Sequence, residues 1–164
     1  MKMQSIQDLM VTGLTYTLDF EQKIANGASK MAEASSEPEL KEAFQKTATK
    51  SKEYATKVEQ TFQKLGQPVK RNENQIAKAM LDEVENMISN TDAGPVRDAA
   101  LIVAANQQQM FRVASYGSLA HYAELLGKQD AAKDLKENLE DSKGGDEKFT
   151  RIGKEKLNPQ AKAA

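Results

Sequence analysis

Four long segments of the sequence carry a stripe of residues at alternating steps of four and three. In the first segment the stripe runs from Met10 to Met31, and the other three segments repeat the same spacing. Such a stripe lies on one face of an α-helix and is typical of helices that pack into a bundle. The alternating runs of Val, Ile, Thr and Tyr that mark β-strands are missing from the sequence. We therefore predict an all-α fold.

Capping signals predict where these helices begin and end. Ser5 followed by Asp8 marks the start of the first helix, and Ser36-Glu37-Pro38-Glu39 offers a capping box for the second. Gly66 and Gly127 are suited to the left-handed position after a helix, and Asp130 is placed to cap the last helix. The helices predicted from these signals span about 5–34, 36–66, 74–89, 95–127 and 130–152.

The lengths of the connections predict how the helices are arranged. The connections at residues 35–36 and 127–129 are so short that the helices on either side of each must pack as antiparallel hairpins. The connection between the hairpins is long and contains the short predicted helix. This plan indicates a ferritin-like antiparallel four-helix bundle with one short extra helix in the crossover. We expect a single domain over residues 1–157 and a frayed C-terminal tail over residues 158–164.

Composition excludes several classes of function. The chain has no cysteine and a single histidine, His121, so thiol chemistry and zinc sites with several imidazole ligands are excluded. His121 also lies off the inward stripe and is expected at the surface. A net charge of −1 gives no reason to expect nucleic-acid binding. No segment has the roughly 20 apolar residues of a membrane span, and no signal peptide is recognisable, so we expect a cytoplasmic protein.

Each stripe is apolar at its ends and polar in its middle. Mid-helix positions meet at the centre of an antiparallel bundle, and buried polar groups must be hydrogen-bonded to avoid a large free-energy cost. The sequence therefore predicts a central polar cluster, flanked by the inward-facing Tyr54 and Tyr116 and with Lys50 beside the stripe. Its inward-facing positions are Glu21, Thr47, Ser51, Gln109, Arg112, Ser142 and Asp146.

The charges of this cluster argue against a metal centre. Ferritin-like bundles hold two metal ions at this place, and two divalent ions need about four carboxylates. The predicted cluster offers two acids, Glu21 and Asp146, beside two bases, Lys50 and Arg112. Their formal charges cancel without any metal, and two cations would repel metal ions. We therefore expect a salt-bridge network with neither a metal nor a catalytic residue.

The sequence resembles the YciF-like bacterial stress proteins, a ferritin-like family, from Ile6 to Ile152. The most specific segment is Val-Arg-Asp-Ala-Ala-Leu-Ile at 96–102. Further matching segments are Pro-Glu-Leu-Lys-Glu-Ala-Phe at 38–44, Ala-Ser-Tyr-Gly at 114–117, Ala-Glu-Leu-Leu-Gly at 123–127 and Asp-Glu-Lys at 146–148. The resemblance implies a dimeric helical bundle with a di-iron-type site, made under osmotic, oxidative or general stress.

Carried over residue by residue, the family's site is largely missing here. Its first-helix glutamate falls on Glu21, but its Glu-Thr pair falls on Lys50-Ser51, and the following His or Gln falls on Tyr54. Its Val-Glu-His-Tyr-Glu segment falls on residues 108–112, where Gln109 and Arg112 replace the acids. In the last helix Ser142 stands at the ligand position, and Asp146 remains.

Three readings of function follow. The favoured one is a stress-associated, non-enzymatic binding or structural protein in which Lys50 and Arg112 take the charge role of the metal. The alternative is an iron or manganese carboxylate protein for iron handling or oxidative-stress protection, with Glu21 and Asp146 as ligands. In a plainer version of the favoured reading, Lys50 and Arg112 extend to solvent and Glu21 is a tolerated buried acid.

An interaction module is the third reading. Val11, Leu18, Phe20 and Phe111 lie outside the inward stripes. They either form an exposed face for a partner or pack on the short third helix. We expect a homodimer; the sequence identifies no protein partner.

Overall fold

A computed structural model of the chain describes residues 3–164, and every regular element in that part is helical. The α-helices are α1 (Ile6–Ala34), α2 (Pro38–Lys64), α3 (Gln75–Ser89), α4 (Pro95–Leu125), α5 (Gln129–Ile152) and α6 (Asn158–Ala163). A π-helical turn, Gly153–Leu157, joins α5 to α6. The predicted all-α class is confirmed.

Two antiparallel hairpins form the body of the molecule. Helix α1 packs along α2 and α4 packs along α5, because the loops between them are only a few residues long. The hairpins close a four-helix bundle through contacts of α1 with α4 and of α2 with α5. Helix α3, in the long crossover, lies on α1 and α4. The predicted bundle with one short helix in its crossover is therefore confirmed.

Local capping chemistry accounts for most helix ends. Ser5 Oγ accepts a hydrogen bond from the Asp8 N–H at 3.1 Å, as the sequence predicts. The Asn74 side-chain oxygen accepts two N–H groups at the start of α3, at 3.0 and 3.1 Å. Gly66 and Gly127 have φ angles of 66° and 68° after α2 and α4. Both glycines thus occupy the left-handed conformation that other residues adopt at a cost.

Two predicted caps are wrong. Glu37, not Ser36, holds the N-cap position of α2. The Ser36 and Glu37 N–H groups donate instead to the buried Asp98 carboxylate, at 2.9 and 2.8 Å, which ties the first hairpin to the start of α4. Asp130 lies inside the first turn of α5, and Lys128 holds the N-cap position without a side-chain cap. Asp130 still carries its negative charge near the positive end of the helix.

The expected frayed tail over 158–164 is helical as far as Ala163. Leu157, the last residue of the π-helical turn, is completely buried and fixes the chain against the bundle. Pro159 follows in the first turn of α6, which continues directly from the π-helical turn. Helix α6 then lies along α4.

The apolar core is divided into two main clusters. One fills the end of the bundle that contains Met10, Leu14, Val58, Phe62, Leu119 and Leu135. The other fills the opposite end and contains Met31, Leu40, Phe44, Leu101, Phe149 and Ile152. Polar positions from four helices lie between the two clusters, which agrees with the stripes being polar in their middle.

A third, smaller cluster lies under α3. Phe20 stacks on Phe111 with ring centroids 4.4 Å apart. Both rings belong to a cluster that includes three residues of α3, namely Ala77, Met80 and Leu81. Val11 and Leu18 are buried in the first main cluster. An exposed partner face built from these four residues is therefore wrong. Packing on the short third helix is correct for Phe20 and Phe111, whereas Val11 and Leu18 pack in the main core instead.

None of the helices within residues 3–164 combines the length and the apolar character needed to cross a lipid bilayer.

Candidate functional site

Five side chains form a hydrogen-bonded group at mid-bundle, which we call the central cluster. Its members are Glu21 of α1, Ser51 of α2, and Gln109, Arg112 and Tyr116 of α4. All five are buried, with Glu21 and Tyr116 fully enclosed. The three α4 residues follow steps of three and four, which places them on one face of that helix.

Arg112 and Glu21 make a forked ion pair. The Arg112 Nε lies 3.0 Å from Oε1 and 3.2 Å from Oε2 of Glu21, and Nη2 lies 2.8 Å from Oε2. The two side chains are 1% and 0% exposed. The guanidinium fork matches the two carboxylate oxygens, which makes this the strongest geometry for such a pair. Both oxygens of Glu21 are thus occupied by one cation.

The other members complete the hydrogen bonding of this pair. Arg112 Nη2 donates to Ser51 Oγ at 2.5 Å, and Nη1 donates to Gln109 Oε1 at 3.3 Å. The Tyr116 hydroxyl donates to Glu21 Oε1 at 2.9 Å. A buried ion pair is tolerated only when its remaining donors and acceptors are satisfied in this way.

Aromatic rings enclose the guanidinium from two directions. Its Cζ atom lies 5.6 Å from the ring centroid of Phe20 and 5.6 Å from that of Tyr54. Both distances fall within the range of cation–π attraction. These rings also exclude water, which strengthens the electrostatic interactions between Arg112 and Glu21.

The ion pair keeps Arg112 charged. Burial by itself would lower the pKa of the guanidinium, but the negative charge and hydrogen bonds of Glu21 outweigh it and raise the pKa above its ordinary value. The guanidinium therefore keeps its positive charge inside the folded protein.

Tyr116 and Tyr54 are expected to resist ionisation in alkaline solution. Burial, followed by the charge of Glu21, raises the pKa of Tyr116 well above 10.0; burial and the charge of Asp141 raise that of Tyr54. Because the unfolded chain ionises first, stability is retained below about pH 10 and falls as pH rises further.

Tyrosinate absorbance checks this expectation in the Tyr16→Phe, Tyr122→Phe double variant, which leaves only Tyr54 and Tyr116. Tyrosinate should appear together with the loss of helical circular dichroism. Its appearance near pH 10 with the helices intact would contradict the buried positions of the two rings.

Lys50 and Asp146 are not part of the central cluster. The Lys50 side chain is 38% exposed, and its Nζ lies 3.2 Å from Glu53 and 3.3 Å from Asp141, so it pairs at the surface. Asp146 is half-buried and makes no hydrogen bond or ion pair with any residue in the described range 3–164. The expected salt-bridge network of two acids and two bases is therefore corrected: Glu21 pairs with Arg112, while Lys50 and Asp146 lie outside the network.

Ser142 and Tyr54 border the cluster without bonding to it. Ser142 is buried, and its hydroxyl donates to the Asn138 carbonyl of its own helix at 2.7 Å. The Tyr54 hydroxyl donates to Asp141 at 3.3 Å. His121 is 65% exposed, 3.7 Å from Glu124, which confirms its expected surface position.

Sequence reasoning missed Asn138 and Asp141. Asn138 is completely buried, and its side-chain amide has no hydrogen-bond partner among residues 3–164. The available signal was its spacing, since Asn138 lies four residues before Ser142. Asp141 lies outside that stripe. It contacts the site because the long side chains of Lys50 and Tyr54 extend to its carboxylate and donate hydrogen bonds to it.

A cavity of about 190 Å³ opens between α2 and α5 and reaches the central cluster. Arg112, Gln109 and Tyr54 form its inner part, and lysines of α2 and α5 stand at its outer part. Gly144 and Gly145 leave that stretch of α5 without side chains. A Cβ atom at Gly145 would come within 2.9 Å of Gln109 Nε2, so the glycine permits this close approach.

The residues at the bundle centre do not fit a di-metal site. Glu21 is the only carboxylate in the central cluster, and a guanidinium holds both its oxygens. Within residues 3–164, no three His, Cys, Asp or Glu side chains are grouped so that they could hold a metal ion. A centre of two divalent ions requires several carboxylates in place of this cation.

Comparisons with known proteins cover almost the entire chain. Residues 5–162 match the family model described as Domain of unknown function (DUF892). Protein YciF of Escherichia coli strain K12 is 33% identical over 162 residues, which cover 98% of each chain.

Solved structures agree with this match. The crystal structure of the E. coli stress protein YciF has a TM-score of 0.91 at 32% identity and covers 95% of this chain and 99% of its own. YcfI of Rhodopseudomonas palustris has a TM-score of 0.84 at 27% identity, covering 90% and 94% of the two chains. A Xanthomonas campestris protein has a TM-score of 0.79 at 14% identity, covering 97% and 98% of the two chains, and supports the fold alone. The chain therefore belongs to the DUF892 family, together with the stress protein YciF.

Proposed function

We propose that this protein is a stress-associated ferritin-like protein that works without a di-metal centre, as a non-enzymatic binding or structural protein. The observation that carries the proposal is the forked ion pair between Arg112 and Glu21. A guanidinium supplies the positive charge at mid-bundle, where a metalloprotein of this architecture would have its ions. The link to stress rests on the similarity to YciF, which is described as a stress protein.

The energetics support a structural role for the pair. A carboxylate enclosed as completely as Glu21 needs a compensating charge, and Arg112 provides it through three donor contacts. If metal ions bound Glu21 in place of Arg112, the guanidinium would remain in an apolar surrounding without a compensating negative charge. The arrangement therefore favours a permanent ion pair at mid-bundle over an exchangeable metal site.

Elemental analysis tests the proposal. The protein is purified from cells supplemented with iron and manganese, without chelators, and its metal content is measured by mass spectrometry. We expect far less than one ion per chain, because the positive charge of Arg112 repels divalent ions. About two ions per chain, with iron oxidation that depends on oxygen or peroxide, would establish the metal-containing alternative instead.

A homodimer in the cytoplasm is part of this proposal. Val96, Val103 and Met110 are each about half exposed and recur every seven residues along α4. Such a stripe is the kind of surface that a second helix pair covers. Light scattering on the same purified sample should give twice the chain mass of 18.1 kDa, and a single-chain mass would refute the dimer.

A further inference from the structure

We propose that the cavity between α2 and α5 binds a small dianion, of the dicarboxylate or phosphate class. This inference rests on the proposed function, because a metal centre would take Glu21 from Arg112 and change the inner wall. The cavity measures about 190 Å³. Since one water molecule occupies about 30 Å³ in the liquid, this is room for roughly six waters or one small organic acid.

Positive charge dominates the walls of the cavity. Four cations line it, and the carboxylate of Asp141 is the single acidic group among its lining residues. Asp141 is already paired with Lys50 and accepts a hydrogen bond from Tyr54. The cations are Lys46, Lys50, Arg112 and Lys148.

Two of these cations have no internal partner. Lys46 and Lys148 make no ion pair or hydrogen bond with any residue in the described part of the chain, residues 3–164. Lys46 is exposed and Lys148 is half-buried, and they approach the cavity from α2 and α5 respectively. Glu21 pairs with Arg112 and Asp141 pairs with Lys50, so Lys46 and Lys148 leave an excess of positive charge at the cavity, which Glu39 reduces only through a longer-range attraction to Lys148.

The inner wall offers hydrogen-bond donors rather than acceptors. Gln109 is 5% exposed, and its Oε1 is taken by Arg112, whereas its Nε2 has no acceptor within residues 3–164. The Gln109 amide packs against Gly145, where the missing side chain makes room for it at the cavity wall. Of the five N–H donors of a guanidinium, the bonds made by Arg112 use four and leave one on Nη1.

The two glycines of α5 point to the same use. Glycine in the middle of a helix destabilises it by about 1 kcal/mol relative to alanine, so two consecutive glycines weaken α5. At Gly144 an added Cβ would meet no atom within 4 Å, because the position borders open space at the cavity. Side chains here would narrow the entrance, so the glycines maintain access to the donors.

Isothermal titration of the full-length protein with sodium succinate and, separately, sodium phosphate tests the proposal. At low ionic strength we expect one site per chain with a Kd below about 1 mM for at least one dianion. Acetate and chloride should bind at least about tenfold more weakly, because each supplies a single charge. The better of the two dianions identifies which class the cavity accepts.

Matched variants locate the site. Lys46→Gln with Lys148→Gln removes both unpartnered cations and should weaken binding at least about tenfold. The control, Lys52→Gln with Lys154→Gln, removes two exposed lysines that do not line the cavity and should change the Kd less than about twofold. Equal losses in both double variants would mean non-specific attraction and would overturn the proposal.

A spectroscopic readout separates the cavity from the surface. The side-chain amide resonances of Gln109 and the Nε–H resonance of Arg112 should shift on titration with the bound dianion. The inference would be overturned if no binding were seen at about 10 mM dianion, or if the dianion bound without shifting either resonance. Elemental analysis of the same sample distinguishes the two failures: metal-free protein without dianion binding refutes only this inference, and bound metal refutes the proposed function.

Discussion

Replacing Glu21 with glutamine is expected to lower the free energy of unfolding by about 3–5 kcal/mol. Arg112 would keep its charge at a position that is 1% exposed, with rings on two sides and no carboxylate to compensate it. The glutamine oxygen could still accept one hydrogen bond, so the loss reports mainly on the uncompensated charge. Urea unfolding followed by circular dichroism measures the change.

Two controls separate this effect from ordinary side-chain loss. Replacing both partners, Glu21→Leu with Arg112→Met, should recover most of the stability, because a buried pair and an apolar pair of similar volume are often nearly equivalent. Glu53→Gln removes the surface partner of Lys50, with side chains 55% and 38% exposed, and should cost less than about 1 kcal/mol. A similar small loss for Glu21→Gln would mean that Arg112 reaches solvent.

The helix ends were predictable because their chemistry is local. The cap at Ser5 depends on an N–H three residues away, and the left-handed turn at Gly127 depends on the freedom of a single residue. Neither needs information about the remainder of the fold. The cap at Ser36 was mispredicted for the opposite reason, since the acceptor Asp98 lies far along the sequence.

The composition of the central cluster was predictable only in part. The sequence places Leu135, Leu139, Ser142, Asp146 and Phe149 on the inward stripe of α5. Leu135, Ser142 and Phe149 are buried as expected, but Asn138 is buried in place of Leu139, and Gly145 rather than Asp146 lines the cavity. Each of these two positions is one residue away from the predicted one, and Leu139 still packs, half-buried, against the first main cluster. A helix has 3.6 residues per turn, so steps of three or four are equally regular, and the rotation of α5 is fixed by its neighbours.

Side-chain reach explains the error at Lys50. Ser51 takes the inward position on α2 and is fully buried, while the adjacent Lys50 lies toward the edge of the bundle. A lysine has a long flexible stem and a strongly hydrated amine, so it extends to surface carboxylates. Arginine retains its charge when buried and forms forked bonds, which is why Arg112 stays inside.

Restoring carboxylates at the bundle centre is expected to create metal binding. The triple variant Lys50→Glu, Gln109→Glu and Arg112→Glu removes the guanidinium of the central cluster and the Lys50 amine that lines the cavity beside it. With Glu21 it gives the four carboxylates that two divalent ions require. Without metal its like charges should destabilise the fold. Manganese at about one hundred times its Kd should then restore about 2.7 kcal/mol, seen as a metal-dependent rise in Tm.

The matched control for this gain is Lys50→Gln with Arg112→Gln, which removes the same two cations without adding acids. It leaves Glu21 as the only carboxylate of the central cluster and should show no Tm increase with manganese. A triple variant that neither folds nor binds with manganese present, or a control that gains as much as the triple variant, would contradict the argument. The predicted difference between the two variants would show that the number of carboxylates at mid-bundle, rather than the shape of the bundle, decides whether this fold can bind metal.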